Sequence, residues 1–148
     1  MLVFDFSTPG SIGPLCFGMP RGQVRALLGE TVHTFKKTSF SVNTTDAFHQ
    51  ADLHAYYDVN DGLKGVEFFE GSKFLWQGNA LIGKTYADLK KYLLLKQAVF
   101  SPDDCGVDAH ELGLGFYIPD FSDEGDSAIV KCIYLDLSVV DSTGGGSL

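Results

Sequence analysis

Four side chains of types that bind metals lie close together in the sequence: Asp46, His49, Asp52 and His54. Imidazole and carboxylate groups are ligands that zinc and iron accept. Such a site would make the chain a metal-dependent enzyme that uses His49 and His54. The alternative is a polar loop entering a strand, with His54 on the strand's solvent face. Since several ligands rarely converge from one irregular segment, we predict no metal and no cofactor.

Other chemistry-bearing patterns are incomplete. The sequence contains no G-x-S-x-G, Walker or dinucleotide-binding glycine motif. Cys105 could act as a nucleophile with His110 as its base, but Asp103 and Asp104 stand beside it and disfavour the thiolate that attacks. We therefore predict no catalytic residue and no enzymatic activity.

Acidic side chains form two clusters in the second half of the chain. The 148 residues include 19 Asp and Glu against 11 Lys and Arg, a formal net charge of −8. This balance argues against binding to nucleic acid or to an anionic membrane. The partner-binding residues that we predict are Asp103, Asp104, Asp108, Glu111, Asp120, Asp123, Glu124 and Asp126, with the aromatic residues Phe121 and Trp76. The alternative is a solvated surface that keeps the protein soluble.

An acidic face of this kind favours a basic protein partner. Complementary charge steers association and sets specificity, and an inhibitor of a basic nuclease toxin could occupy the groove that nucleic acid uses. Exposed aromatic side chains would serve as anchors, and those expected to be exposed are Phe48, Tyr56, Trp76 and Phe121. We expect a non-enzymatic binding protein, most concretely a bacterial toxin-immunity protein. A small-ligand-binding or structural module is the alternative.

The sequence also indicates a compartment. Its N-terminus lacks the basic and apolar regions of a signal peptide, and no apolar stretch approaches the ~18 residues of a membrane span. Three widely spaced cysteines, Cys16, Cys105 and Cys132, suit a reducing environment. We expect a cytoplasmic protein. Residues 141–148 have the composition of a flexible tail.

The elements that would position these residues follow from periodicity and turn signals. Apolar side chains at helical spacing predict short helices at 21–28 and 86–95. Asn60-Asp61-Gly62 predicts a hairpin between two alternating segments, and the long apolar segment 129–140 predicts a central strand. The expected fold class is α+β, with two short helices packed on a twisted, mostly antiparallel sheet in one domain over 1–140.

The two predicted helices align at an offset of 65 residues, pairing Gly18 with Gly83 and Val24 with Leu89. This offset suggests an internal repeat, 13–70 and 79–135, that would divide the domain into two similar halves. The alternative is that two amphipathic helices preceded by glycine look alike.

One segment resembles a known group of proteins. Phe17-Gly18-Met19-Pro20, followed by Val24 and then Leu27-Leu28-Gly29, resembles the start of small bacterial helix-plus-sheet modules. These include outer-membrane assembly lipoproteins of the SmpA type, each half of the β-lactamase inhibitory protein, and immunity proteins to secreted toxins. The resemblance implies a helix packed on an antiparallel sheet, and it assigns no functional residue.

Overall fold

One large antiparallel sheet organises the chain, and a computed structural model describes it for residues 2–140. The predicted flexible tail, 141–148, lies outside the described residues. The strands within residues 2–140 are β1 (Phe4–Phe6), β2 (Ser11–Ile12), β3 (Leu15–Cys16), β4 (Val32–Phe35), β5 (Thr45–Phe48), β6 (Leu53–Tyr57), β7 (Leu63–Phe68), β8 (Phe74–Trp76), β9 (Ser101–Pro102), β10 (Gly106–Ala109), β11 (Leu114–Tyr117) and β12 (Cys132–Asp136).

The order of strands in the large sheet is β4-β5-β6-β7-β12-β11-β10-β9, and every neighbouring pair is antiparallel. Strands β1 and β8 form a small parallel pair, and β2 and β3 form a small antiparallel pair. The predicted hairpin is confirmed as β6 and β7. The central position predicted for 129–140 is confirmed by β12, which pairs with β7 at the middle of the sheet, but the strand is shorter than predicted and spans Cys132–Asp136.

Three α-helices accompany this sheet within the described residues: α1 (Arg21–Leu28), α2 (Tyr86–Leu95) and α3 (Phe121–Glu124). The first two confirm the sequence-based helices. Helix α1 ends at Gly29, whose φ of 65° suits glycine. Helix α2 starts at Thr85, whose side-chain oxygen accepts the backbone N–H of Asp88 at 3.2 Å. Helix α3 corrects the expectation of two helices, because it lies in a segment that reads as an acidic turn.

The apolar core lies between the helices and one face of the large sheet. Val24 of α1 and Leu89 of α2 are fully buried there, together with Val66 and Ile133 of the central strands. Helix α3 packs on α2 through Phe121. Side chains alternate across a strand, so the opposite face of the sheet carries a different set of residues. Among residues 2–140, no helix packs on that face. The architecture is therefore α+β with a sheet covered on one face.

Each of the longer helices is followed by four strands of the large sheet, β4–β7 after α1 and β9–β12 after α2. The same pair of backbone hydrogen bonds joins the residues before each helix to a residue at, or just before, the beginning of the last of its four strands. The matching bonds are Gly18 N–H to Leu63 O (2.7 Å) and Leu63 N–H to Met19 O (2.9 Å) in one array, and Gly83 N–H to Val130 O (2.8 Å) and Val130 N–H to Lys84 O (2.9 Å) in the other.

None of the helices in residues 2–140 has both the length and the apolar character that a membrane crossing requires.

Candidate functional site on the open face of the sheet

The sheet face that points away from the helices is the candidate site, and we call it the open face. Strand pairing places Thr45 opposite Tyr56, and Glu67 opposite both His54 and Tyr134. The larger side chains of the open face are His33, Phe35, His54, Tyr56, Glu67, Tyr134, Tyr117 and Asp108. Between them lie small residues such as Ala47 and Gly65, so the aromatic rings stand above a shallow floor.

A row of rings crosses the first part of the open face. Phe35 and His54 have ring centroids 5.2 Å apart, and His54 and Phe69 are 4.7 Å apart. Burial lowers the pKa of His54 below its ordinary value, against the opposing charge of Glu67. His54 is therefore uncharged at neutral pH, and the row presents half-buried aromatic rings, two of them apolar, to solvent. Such rings are common at the centres of protein interfaces.

A cavity of about 370 Å³ lies beside this row, between the sheet and the loop 36–44 that joins β4 to β5. Its lining residues are Lys37, Ser41, Val42, Asn43, Thr44, Thr45, Tyr56, Tyr57, Lys64 and Tyr134. The same loop holds Phe40, which is 93% exposed. Hydrogen bonds between Thr38 and Ser41 close the turn that presents Phe40. The sequence-based list of exposed aromatic residues missed Phe40, although its polar surroundings are a usable signal.

Lys37, Tyr56 and Glu67 form a polar chain at the rim of the cavity. The Lys37 amine donates to the Tyr56 hydroxyl at 3.2 Å, and that hydroxyl donates to a Glu67 carboxylate oxygen at 2.6 Å. Burial, together with the hydrogen bond to Glu67, raises the pKa of Tyr56 well above its ordinary value. Tyr56 therefore stays protonated, and Glu67 offsets the charge of Lys37.

Beneath the cavity, on the helix side of the sheet, a buried carboxylate ties α1 to β5. Asp46 is 0% exposed and accepts hydrogen bonds from Arg21 at 2.9 Å and Arg25 at 2.8 Å. The hydroxyls of Tyr57 and Thr34 each donate to it at 3.0 Å. Sequence reasoning missed this network, although the spacing of Arg21 and Arg25 places both on one helix face. This network fixes the position of β5, whose first residue, Thr45, lines the cavity.

The four side chains considered as metal ligands do not converge. Asp46 lies on the helix side of the sheet, whereas His54, opposite Ala47, lies on the open face. A carboxylate oxygen of Asp52 instead accepts the backbone N–H of Gly71 at 2.6 Å. Within residues 2–140, no group of three His, Cys, Asp or Glu residues is arranged to hold a metal ion. The ring centroid of His49 lies 6.3 Å from that of His33.

The two acidic clusters meet at one end of the sheet. The turn between β9 and β10 contains Asp103 and Asp104, and the hydroxyl of Ser122 donates to the Asp104 backbone oxygen at 2.8 Å. This contact places 103–105 against the segment 120–124. Its acidic side chains Asp120, Asp123 and Glu124 are all exposed.

The remaining acidic residues lie elsewhere. Asp108 is half-buried on the open face, opposite Gly115. Glu111 lies in a 3-10 helix (His110–Leu112) at the far end of β10 from the acidic turn. The carboxylate of Asp126 lies 3.8 Å from the amine of Lys90, on the side of α2. The predicted acidic set therefore does not form one continuous face.

The aromatic residues expected to be exposed are mostly buried. Trp76 is 3% exposed, in a T-shaped contact with Phe6, and Phe48 and Tyr56 are also buried. Phe121 is half-buried, with its ring centroid 4.6 Å from that of Tyr86. The expectation of exposure is wrong for Phe48, Tyr56 and Trp76, because strand pairing places them in or against the packed sheet. Trp76 supports the core rather than a docking surface.

Fold and site together define an α+β protein in which, within residues 2–140, one face of the sheet has no helix layer. That face is bordered by the cavity and by the exposed acidic residues of 103–104 and 120–124, which we call the acidic edge. Comparison with protein families, curated proteins and solved structures found no match to this chain.

Proposed function

We propose that this chain is a non-enzymatic protein-binding module that docks its partner on the open face of the sheet. The observation that carries the proposal is the row of half-buried rings on a sheet face without a helix layer. A sheet of this size usually buries both faces or keeps its solvent face polar. Tyr117, which is exposed, adds a further ring on β11 of the same face, and tyrosine and phenylalanine rings are side-chain types enriched at interfaces.

The acidic edge supports a basic partner. Asp103, Asp104 and Asp123 lie together at one end of the sheet, and no basic side chain pairs with any of them within residues 2–140. Unpaired surface carboxylates raise the association rate with a positively charged protein. The most concrete form of this function is a toxin-immunity protein that neutralises a basic effector.

We place this protein in the bacterial cytoplasm. The three cysteines form no disulfide within the described residues, which suits a reducing compartment. An immunity protein must meet its effector in the compartment where the effector acts.

The test is protection of cells against the effector encoded by the neighbouring gene. Co-expression with the wild-type chain should restore growth. The double variant Asp104→Lys/Asp123→Lys should weaken both protection and effector binding by tenfold or more, because it reverses charge at the acidic edge. The control variant Asp88→Lys/Glu111→Lys makes the same change in net charge away from that edge. It should leave protection and effector binding unchanged.

A second pair of variants tests the open face itself. Tyr117→Ala removes an exposed ring from the open face, whereas Leu95→Ala removes an exposed apolar side chain from α2. Only Tyr117→Ala should weaken effector binding. Absence of any neighbouring effector would contradict the immunity function. Equal binding by all four variants would contradict docking on this face.

We further propose that the domain consists of two similar halves, each with one helix followed by four antiparallel strands. The matched backbone bonds at Gly18 and Gly83 support this arrangement, as does the bridge of Pro20 to Gly62, which corresponds to that of Thr85 to Ile129. The halves differ in the connection before the last strand: five residues, 58–62, join β6 to β7, whereas α3 and a 3-10 helix lie between β11 and β12. Co-expressed fragments 1–78 and 79–148 should therefore assemble into a folded complex.

A further inference from the structure

Three polar side chains without hydrogen-bond partners line the cavity beside loop 36–44. They are Thr45, Lys64 and Tyr134, and none of their terminal atoms bonds to another of the described residues. Thr45 is 2% exposed. Every fully enclosed side-chain nitrogen or oxygen in residues 2–140 has a partner, so the free hydroxyl of Thr45 must open into the cavity. A hydroxyl that opens into a cavity is free to bond to a molecule that occupies it.

The three groups share one chemistry, because each can donate a hydrogen bond. The ammonium of Lys64 is a donor only, and the two hydroxyls donate readily. Burial, with the charge of Asp136, raises the pKa of Tyr134 to about 12, so its phenol keeps its proton at neutral pH. A ligand that satisfies all three must offer acceptor atoms.

Two lysine side chains, Lys37 and Lys64, line the cavity, and no carboxylate is among its lining residues in the described part of the chain. No carboxylate pairs with Lys64 within the described residues, whereas Lys37 lies 3.9 Å from Glu67, and Arg21 pairs with both Asp46 and Asp61. The whole chain has a net charge of −8, so a locally positive cavity is unusual here. It favours a ligand with a negative charge.

The walls favour a planar, apolar body on that ligand. Tyr56 contributes an aromatic ring and Val42 an aliphatic side chain. The volume of about 370 Å³ is at the small end of the range for small-molecule sites, roughly 300–1,000 Å³. A single ring with one acidic substituent fits these limits better than a large cofactor.

We propose that this cavity binds a small aromatic anion, an aryl carboxylate or aryl phosphate, through Lys64, Thr45 and Tyr134. The anionic group accepts from the three donors, and the ring lies against the side chains of Tyr56 and Val42. This site is independent of the protein docking proposed above, because it needs no partner chain. It assigns a role to donors that nothing else in the described residues satisfies.

The experiment is calorimetric titration of the full chain with three probes: benzoate, phenyl phosphate and the uncharged benzamide. Benzoate, phenyl phosphate or both should bind at least tenfold more tightly than benzamide, and raised salt should weaken that binding. Preference for one anion identifies the ligand as carboxylate or phosphate. Failure of both anions to bind, or equal affinity for benzamide, would overturn the proposal.

Two variants locate the binding. Lys64→Gln removes the free charge and should weaken anion binding about tenfold or more, since hydrogen bonds to charged groups are the stronger ones. Thr45→Val keeps the shape and removes the hydroxyl, and should weaken it about fivefold. Lys91→Gln, on the exposed side of α2, is the matched control and should bind as the wild type does. Unchanged affinity in Lys64→Gln, with the fold intact by circular dichroism, would refute the assignment.

Discussion

Replacing Asp46 with asparagine should strongly destabilise the fold, because this carboxylate holds α1 against the sheet. Its side chain is 0% exposed and bonds to Arg21 and Arg25 at 2.9 and 2.8 Å. The substitution keeps the shape but leaves two guanidinium groups beside a neutral amide. Breaking a buried ion pair on one side costs about 3–5 kcal/mol. A domain of this size has a free energy of unfolding of about 5–15 kcal/mol, so the loss is a large fraction of the total.

The assay is urea denaturation followed by the fluorescence of Trp76, the single tryptophan of the chain. Asp61→Asn is the matched control, since Asp61 also pairs with Arg21 but its side chain is 52% exposed. Exposed pairs contribute about 0–1 kcal/mol. Asp46→Asn should also lower Tm by roughly 6–20 °C, from about 2–4 °C per kcal/mol. Equal losses in the free energy of unfolding in the two variants would refute the reasoning that burial makes the Asp46 pair important.

The same network predicts a pH dependence. Burial alone would raise the pKa of Asp46, but hydrogen bonds from Arg25 and Thr34, with the charge of Arg21, outweigh it and hold the pKa below its ordinary value. The stabilisation is therefore present above an unfolded-state pKa of about 3.9 and is lost as pH falls through the lower folded pKa. The stability gap between wild type and Asp46→Asn should narrow below about pH 4. A constant gap from pH 7 to pH 2 would contradict this linkage.

Three other variants or modifications have defined outcomes. Thr85→Ala removes the N-cap of α2 and should lower the free energy of unfolding by about 1 kcal/mol in urea denaturation; no change would mean that the cap contributes nothing. Burial raises the pKa of the Cys132 thiol to about 12, so Ellman's reagent at pH 8 should modify the exposed Cys16 and Cys105 quickly and Cys132 only after unfolding. Three fast thiols would contradict the packing. Gly65→Ala places a methyl group within 2.7 Å of the Tyr134 ring above it and should cost about 1–3 kcal/mol, with a changed near-UV circular dichroism spectrum.

The elements that sequence alone could predict are those whose determinants are local. The periodic apolar residues of α1, ending at Gly29, and the Asn60-Asp61-Gly62 turn between β6 and β7 each depend on fewer than ten consecutive residues. Helix α3 has four residues, Phe121–Glu124, which is too short for a helical period to be visible. Its acidic composition therefore reads as a turn.

The candidate site was less predictable because its contacts span long sequence distances. Trp76 lies in β8, which pairs with β1 from the other end of the same half of the chain, and this pairing buries it. Asp46 is 25 residues from Arg21, so its ion pairs have no local signature. A polar residue in a short strand can lie on either face of a sheet, and one step of register decides which. Asp46 and His54 illustrate this, because Asp46 points to the helix side of the sheet and His54 to the open face.

The two ends of the open face differ: one holds the lysine-lined cavity and the other holds the acidic turn, which constrains how any partner can dock. The turn 58–62 precedes β7 and the segment 118–131 precedes β12. Because these central strands are antiparallel, the two connections lie at opposite ends of the sheet. The loop carrying Lys37 lies against the turn 58–62, because the side-chain amide of Asn43 donates to the backbone oxygen of Asp58. The cavity with Lys64 therefore lies at one end of the sheet and the acidic turn at Asp104 at the other. A partner that crosses the open face meets the cavity lysines, Lys37 and Lys64, at one end and the acidic turn at the other, so reversing its direction would bring like charges together. Such repulsion costs more than exposed attraction contributes, and it selects one orientation.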